Sequence, residues 1–531
     1  MKSYDAIIIG AGHNGMICAA YLAKAGKKVL VLERRHLVGG ATVTEEINPG
    51  FKYTVCSYVV SLLRPQIIAD LNLPDYGFEL LPLDGTLTPM PDGDYLMRWH
   101  DAGETRRELM RHSAADAEAY ERYSELMYHL AKTVRPILST TPPSPTSLSP
   151  SNLKDLVEVG RKFSRSGEHL YDLAKLMTMS SAEYVEQWFE NPTLQATLSA
   201  SGIIGTFLGP RSPGSAYVML HHYMGEIDGQ FRAWGFPRGG MGGVAEAIAA
   251  SARDFGVDIR LEAPIEQILI KDGSVRGVVL EGGEEIRART VISSLDPRRT
   301  FEKLIEPEHL DGEFLERIAR YKIRGSSGKV NLSLDALPEF SCLDPVRRRG
   351  ESIEPYLAGA MSISPDIDYL ERAYDDAKYG RFSRRPYLDM IIPSMIDPSM
   401  APPGKHVMSI FVQYAPYDLA EGTWDDQREA FGDAVIDTLS EYVPNLKDII
   451  LHRQVVTPLD MERTFGLTQG NIFHGELTLE QLFFLRPVPG SEGYTTPIQN
   501  LWMCGSGTHP GGGVMGAPAQ LAAKAILEAG R

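Results

Sequence analysis

Cysteine is scarce in this chain: Cys18, Cys56, Cys342 and Cys504 are the whole complement of 531 residues. They form no C-x-x-C pair, which argues against a dithiol redox centre, a zinc site or a disulfide scaffold, and points to a reducing, cytoplasmic setting. Long apolar runs are missing as well. None approaches the roughly 20 residues that a membrane-spanning helix needs. The opening MKSYDAIIIGAG resembles a secretion signal only until Asp5 interrupts it, and it reads better as the first strand of a fold. Basic side chains are outnumbered, 53 against 69 acidic, for a formal charge of −16. A surface of that sign repels phosphate backbones, which argues against nucleic acid as a partner. It also disfavours broad attraction to anionic lipid, so peripheral membrane contact would need a local apolar patch.

What is present is an ordinary globular balance, 43% hydrophobic and 23% charged. The length exceeds what one hydrophobic core organises, so two or more domains are expected.

Tyr4 to Ile9 is an isoleucine-rich run of the kind buried on both faces of a sheet. It leads into Gly10-Ala11-Gly12-His13-Asn14-Gly15, a G-x-G-x-x-G, and then into Met16, Ala19, Ala20, Leu22 and Ala23 at helical spacing. A second apolar strand, Lys28 to Leu32, ends on Glu33. In this pattern the first glycine permits the turn, the second lets backbone approach a pyrophosphate, and the third lets helix and strand pack closely. The helix N-terminus offers free N–H groups to phosphate, and Glu33 is placed to accept from a ribose diol. A lone glycine motif is weak, but strand, helix, second strand and acid together specify a dinucleotide site.

The far end of the chain carries a second glycine-rich turn. Asn500 to Met503 reads as a strand, followed by Cys504-Gly505-Ser506-Gly507-Thr508-His509-Pro510-Gly511-Gly512-Gly513-Val514-Met515-Gly516 and a helix through Leu521 and Ile526. Glycines so dense let backbone reach van der Waals distance of a flat ring. The helix start behind them can stabilise negative charge. Between the two motifs, Gly239 to Gly243 precede a helix, and Val257 to Leu261 and Ile265 to Ile270 read as strands. A hairpin then turns at Gly282-Gly283, and Val291-Ile292 returns as a buried strand.

Glu33-Arg34-Arg35 followed by Val38-Gly39-Gly40 resembles the start of the flavin amine oxidase and phytoene desaturase superfamily. Together with FPRGGMGG, GNIFHGELTLEQLFFLRP and GSGTHPGGGVMGAP, it resembles the carotenoid oxidoreductase branch over essentially the whole chain. Within that branch it is most similar to the pyridine nucleotide-disulfide oxidoreductase domain-containing protein 2 family. The resemblance implies FAD as cofactor and an α/β fold: a glutathione-reductase-type Rossmann domain with a second, α+β substrate domain, both discontinuous. Residues 1–75, 233–300 and 489–531 would build the FAD domain, and 76–232 and 301–488 the substrate domain. It further implies Arg35 along the adenosine, Gly39, Gly40 and Ala41 at the pyrophosphate, and backbone near Ile265 at the adenine. Gly505, Ser506 and Val514 would lie at the flavin. Many relatives carry arginine where this chain has Ala41, so the phosphates would depend more on backbone donors.

The implied activity is hydride exchange with an apolar, carotenoid- or isoprenoid-like small molecule. Conjugation can spread the charge left by hydride removal, so no strong base is required, and no catalytic triad is evident. His509 is the candidate beside the flavin, with a turn-capping role as its alternative; His474 and Glu476 are more distant candidates. A flavin amine oxidase-like enzyme and a flavin-bound regulatory protein with little turnover remain the competing readings.

Overall fold

Ala6 to Ile9 carry apolar side chains on both faces of their strand and are all buried, so layers must cover both sides. The computed structural model describes residues 4–147, 150–164, 167, 169–227, 230–231 and 233–530. In it, Tyr4–Ile9 lies between Val29–Leu32 and Glu285–Ser293, parallel to both. Asp258–Arg260 and Leu501–Met503 extend this parallel sheet on either side. The even positions Ala6 and Ile8 meet the helices His13–Lys24, Met241–Asp254 and Ala517–Ala529. The odd positions Ile7 and Ile9 face Ile268, Val278 and Phe301 on the opposite side.

The hairpin and the return strand expected separately are one element, Glu285–Ser293. Its first half pairs antiparallel with Ser274–Leu280, and its second half pairs parallel with Tyr4–Ile9 and Leu501–Met503. The partner changes along the strand while the backbone stays extended, so hydropathy alone divides it in two. The parallel sheet with helices on one face and an antiparallel meander on the other is the glutathione-reductase-type FAD-binding arrangement.

A second sheet has seven strands in the order Ile450–Val456, Ser327–Leu334, His406–Gln413, Tyr387–Ile391, Ala360–Ile363, Gly85–Pro89 and Tyr95–Trp99. One face, with Val330, Leu332, Ile410, Val412 and Met390, packs on the helix Trp424–Ser440. Helices from Ala102 to Tyr223 form a further layer around Tyr123, Leu130 and Leu198. Ser180 opens Ser181–Glu186 with a capping box to Glu183, as its position suggests. The longest of these helices among the described residues runs from Ala114 to Leu138, with Pro136 in its last turn. The proline-rich stretch 136–152 is less of a free connection than its composition predicts. The Asn152 side chain bonds Ser144 and Ser147, and a helix starts at Pro150; residues 148 and 149 lie outside the described residues. Among the described residues, no helix is long and apolar enough to cross a membrane.

Candidate active site

The groove at the top of the parallel sheet is shaped by glycines that have no room for a side chain. Gly10 turns at φ 90°, and a Cβ there would lie 2.8 Å from Ser294 Oγ. A Cβ on Gly15 would lie 2.1 Å from the Gly10 carbonyl oxygen. Gly12 is different: its added Cβ would meet no protein atom within 4 Å, and it opens a helix that no side chain caps. An uncapped helix start beside open space is a ready phosphate site. Gly39 N–H donates to the Ala11 carbonyl at 2.8 Å, which brings Gly40 and Ala41 over Gly12. Several buried polar atoms of groove-lining residues have no protein partner: His13 Nε2, Arg35 Nη1 and His474 Nδ1. Such atoms normally find partners, and a bound dinucleotide supplies them.

Glu33 is 7% exposed, and its carboxylate accepts from Ala11 N–H at 2.8 Å and Arg35 N–H at 2.9 Å. These bonds aim it into the groove and leave lone pairs for ribose hydroxyls. Arg34 donates to the Arg463 and Thr464 carbonyls, and Arg35 pairs with Glu45 at 2.9 Å over the Phe465 ring. Both arginines line the groove while tied to protein, so neither is a loose solvated charge. Ile265 lines its far end beside Glu266 and Glu281. We expect Glu33→Ala to weaken FAD binding by about 1.5–3 kcal/mol, the worth of hydrogen bonds to a charged acceptor. Because the carboxylate also holds two backbone N–H groups, the loop loosens too. Titration of the apoprotein with FAD measures the loss, and unchanged affinity would remove Glu33 from the site.

The terminal loop closes over this groove. Asn14 Nδ2 donates to Ser506 Oγ at 3.1 Å, joining the first motif to the last. A Cβ on Gly505 would lie 2.3 Å from the Ser294 carbonyl oxygen, and one on Gly513 would lie 2.5 Å from Leu62. Ser506, Gly513 and Val514 line the cavity, Val514 at φ 55°. His509 is placed otherwise. Its buried ring stands edge-on to Phe483 at 5.2 Å, its carbonyl accepts from Tyr494 Oη, and it is not among the cavity-lining residues. It packs within the protein beside Phe483 and Tyr494, while Gly513 of the same loop faces the cavity. Asn14, Gly15, Gly39 and Gly505 likewise shape the groove without lining it. Glu476 is buried and paired with Arg324 at 2.8 Å, whereas His474 lines the cavity. Burial pulls His13 down to about 3 and also lowers His474, so both rings are neutral at physiological pH.

The groove and the space under the second sheet form one continuous cavity of about 990 Å³. Tyr58, Leu62, Trp234, Phe411, Ile472 and Phe473 give it an apolar, aromatic body. A buried lysine and a half-buried aspartate line it as well. Lys329 donates to the Cys56 carbonyl at 3.0 Å and sits 4.2 Å over the Tyr58 ring; burial pulls its ammonium down to about 7. Asp389 accepts from Tyr58 Oη at 2.6 Å, and burial pushes it up to about 6. Sequence reading missed both. For Lys329 the signal was alternation, since Lys329, Asn331 and Ser333 interleave with Val330, Leu332 and Leu334 in a strand buried on both faces.

The other glycine cluster, Gly239 to Gly243, is filled by protein. Gly239 N–H donates to Asp397 at 2.7 Å and Gly242 N–H to Thr44 Oγ1 at 2.9 Å. The preceding strand Gly235–Pro237 pairs with Leu80–Pro82 in a two-stranded ribbon, outside the parallel sheet. A nicotinamide nucleotide needs a free cradle of this kind. Anaerobic mixing with excess NADPH is therefore expected to leave the flavin band intact for minutes, and bleaching within seconds would contradict this.

A Rossmann groove joined to a covered cavity under a second sheet defines a flavin-dependent oxidoreductase. The pattern of the flavin containing amine oxidoreductase family runs from residue 15 to residue 527, and the chain belongs to that family. It is 41% identical to pyridine nucleotide-disulfide oxidoreductase domain-containing protein 2 of Rattus norvegicus, over 99% of this chain and 93% of that one. It is 26% identical to a subunit of the limonene dehydrogenase of Castellaniella defragrans, over 99% and 95% of the two chains. Cyclohexylamine oxidase from Brevibacterium oxydans shares the fold, with a TM-score of 0.57 at 18% identity over 100% of both chains. FAD is the cofactor, and the residues of the groove fit it.

Proposed function

We propose that this flavoprotein exchanges hydride with an apolar, isoprenoid-type small molecule, in a desaturation, saturation or isomerisation. The observation that carries this reading is the aromatic body of the cavity, continuous with the dinucleotide groove and roofed by a sheet. The limonene named for the Castellaniella dehydrogenase, an isoprenoid hydrocarbon, supports it from a relative of full length. Bound FAD supplies the hydride acceptor or donor. The protein's part is to keep water out with Leu62, Trp234 and Phe473 and to orient the substrate against Tyr58 and Phe411. Exclusion of water also strengthens every polar contact left inside. Lys329 and Asp389 are the groups able to hold or release a proton near neutral pH within this space.

A second reading, oxidation of an amine, is favoured by one observation: a carboxylate and aromatic rings share the same cavity wall. Anaerobic mixing of the FAD-loaded protein with limonene, lycopene, cyclohexylamine and putrescine separates the two. Bleaching or perturbation of the flavin band by the hydrocarbons alone is the expected result. Bleaching by the amines alone would replace the isoprenoid reading with the amine one.

A further inference from the structure

The sheet over the cavity has two unlike faces, and both are buried. Its outer face is uniformly apolar, with Val330, Leu332, Met408, Ile410, Leu388 and Met390 in one core. The inner face carries Lys329, Asn331, Ser333, Ser409, Gln413 and Asp389 on neighbouring strands. A polar sheet face normally meets water, so polar groups held inside need partners of their own. Most have them within the protein. Asn331 bonds Gln454, Ser409 bonds Asn331 and Thr54, Ser333 bonds Tyr53, and Gln413 donates to the Ile203 carbonyl.

Lys329 and Asp389 have partners too, but each keeps hydrogen-bonding capacity to spare and lines the cavity. They stand in one row across the sheet, Lys329 beside Phe411 and Phe411 beside Asp389, with Ser362 next. An ammonium has three donors, and one of those on Lys329 is taken by Cys56. A carboxylate has about four acceptor sites, and Tyr58 fills one on Asp389. Tyr58 lies between them, its ring stacked on Phe411 at 6.2 Å and beneath the Lys329 ammonium. Tyr387 and Arg98 reach the same cavity wall from their own strands, Arg98 with a bond to Thr197.

We propose that this row is a substrate subsite for one neutral hydroxyl group on an otherwise apolar molecule, with Lys329 as donor and Asp389 as acceptor. This rests on the isoprenoid reading above and narrows it. The charge balance selects a neutral group. Arg98 faces Asp389 as its counter-charge, and burial drives Lys329 toward its neutral form. A carboxylate on the ligand would confront Asp389, and an ammonium would confront Arg98. A hydroxyl accepts from Lys329 and donates to Asp389 without adding a charge. A pure hydrocarbon would leave the same donors and acceptors buried and unfilled, which costs affinity.

The test uses the FAD-loaded protein and four probes of similar size: limonene, perillyl alcohol, perillic acid and cyclohexylamine. Binding is read from the flavin absorption band and from the fluorescence of tryptophan, since Trp234 lines the cavity. We expect perillyl alcohol to bind at least about tenfold more tightly than limonene, and more tightly than the acid or the amine. Asp389→Asn should shift that preference, and Tyr58→Phe, which keeps the ring and loses the hydroxyl, should weaken it. In both variants FAD affinity stays within about twofold of wild type, since neither side chain belongs to the dinucleotide groove. Equal binding of alcohol and hydrocarbon overturns the subsite while leaving the isoprenoid reading intact. Tightest binding of the acid or the amine overturns the neutral assignment. Failure of both terpenoids to bind overturns the isoprenoid reading and the subsite with it. Variants that weaken every probe alike point to packing and overturn the assigned roles.

Discussion

Gly12→Ala is expected to yield a protein that folds with wild-type stability and purifies without FAD, whereas Gly15→Ala loses both FAD and stability. The two glycines lie in one motif and differ in what surrounds them. The Gly12 backbone has φ −66°, which alanine adopts freely, and its added Cβ meets no protein atom within 4 Å. That empty space is where the pyrophosphate belongs, so the methyl group competes only with the ligand. At Gly15 the Cβ would stand 2.1 Å from the Gly10 carbonyl oxygen and 3.0 Å from Ser294 Oγ. Neither neighbour can yield easily. Gly10 N–H is tied to Leu32 at 2.8 Å, and Ser294 Oγ donates to the Ile9 carbonyl at 2.8 Å. The helix His13–Lys24 must therefore back away from the sheet, at about 1–3 kcal/mol for overpacking of a filled interior. Its N–H groups retreat from the phosphates, and the bond from Asn14 to Ser506 opens. For both variants we expect FAD affinity to fall at least about a hundredfold. The ratio of flavin to protein absorbance and an FAD titration measure that loss, and chemical denaturation of the apoproteins measures stability. Retention of FAD by Gly12→Ala would place the pyrophosphate elsewhere.

What the sequence made legible was local. A strand, a glycine turn, a helix and an acid lie within some 30 residues of each other, and their spacing sets their geometry before any long-range contact forms. The groove residues Gly10, Gly12, Glu33, Arg34, Arg35, Gly40 and Ala41 all line the cavity. Ser506 and Val514 do so too, because a glycine-dense turn between strand and helix has few ways to run. The roles that escaped depend on pairing between distant segments. His509 lies in the same loop as Ser506, but its orientation is set by Phe483 and Tyr494, which no local pattern announces. Lys329 and Asp389 face the cavity only because their strands pair in one register through Phe411, and a shift by one residue would turn both into the apolar core. Cys18 and Cys504, nearly 500 positions apart, meet behind the terminal loop, where burial and a hydrogen bond between the thiols raise Cys504 well above the usual range. Spacing along the chain counted them as isolated.

Arg486→Met should be the most destabilising single substitution in the second half of the site, at about 3–5 kcal/mol. Arg486 is fully buried, yet no carboxylate is among its hydrogen-bond partners in the described residues. Its guanidinium instead donates to backbone: to the carbonyls of Phe473, Gly475, Glu476, Gln481 and Ser506, at 2.9 to 3.4 Å. The first four belong to the stretch that carries His474, and the last to the loop that completes the flavin groove. One side chain therefore bolts two segments together by filling carbonyls that irregular backbone leaves unpaired. Methionine restores the bulk and removes every donor, so the carbonyls of Phe473, Gly475, Gln481 and Ser506 lose their Arg486 bonds, each at about 1–3 kcal/mol, while Glu476 keeps Gln481 Nε2 at 3.3 Å. The loss is partly offset because a guanidinium no longer has to be desolvated. Lysine, with three donors on a flexible stem in place of a five-donor fork, should recover less than half of the difference. Urea unfolding at a fixed FAD concentration checks the order wild type, lysine, methionine, since bound FAD itself adds to apparent stability. FAD affinity should fall in the same order, because Ser506 and His474 both lose their anchor. Wild-type stability in the methionine variant would mean that desolvating the charge costs as much as its bonds return, and would leave Arg486 as a determinant of loop shape alone.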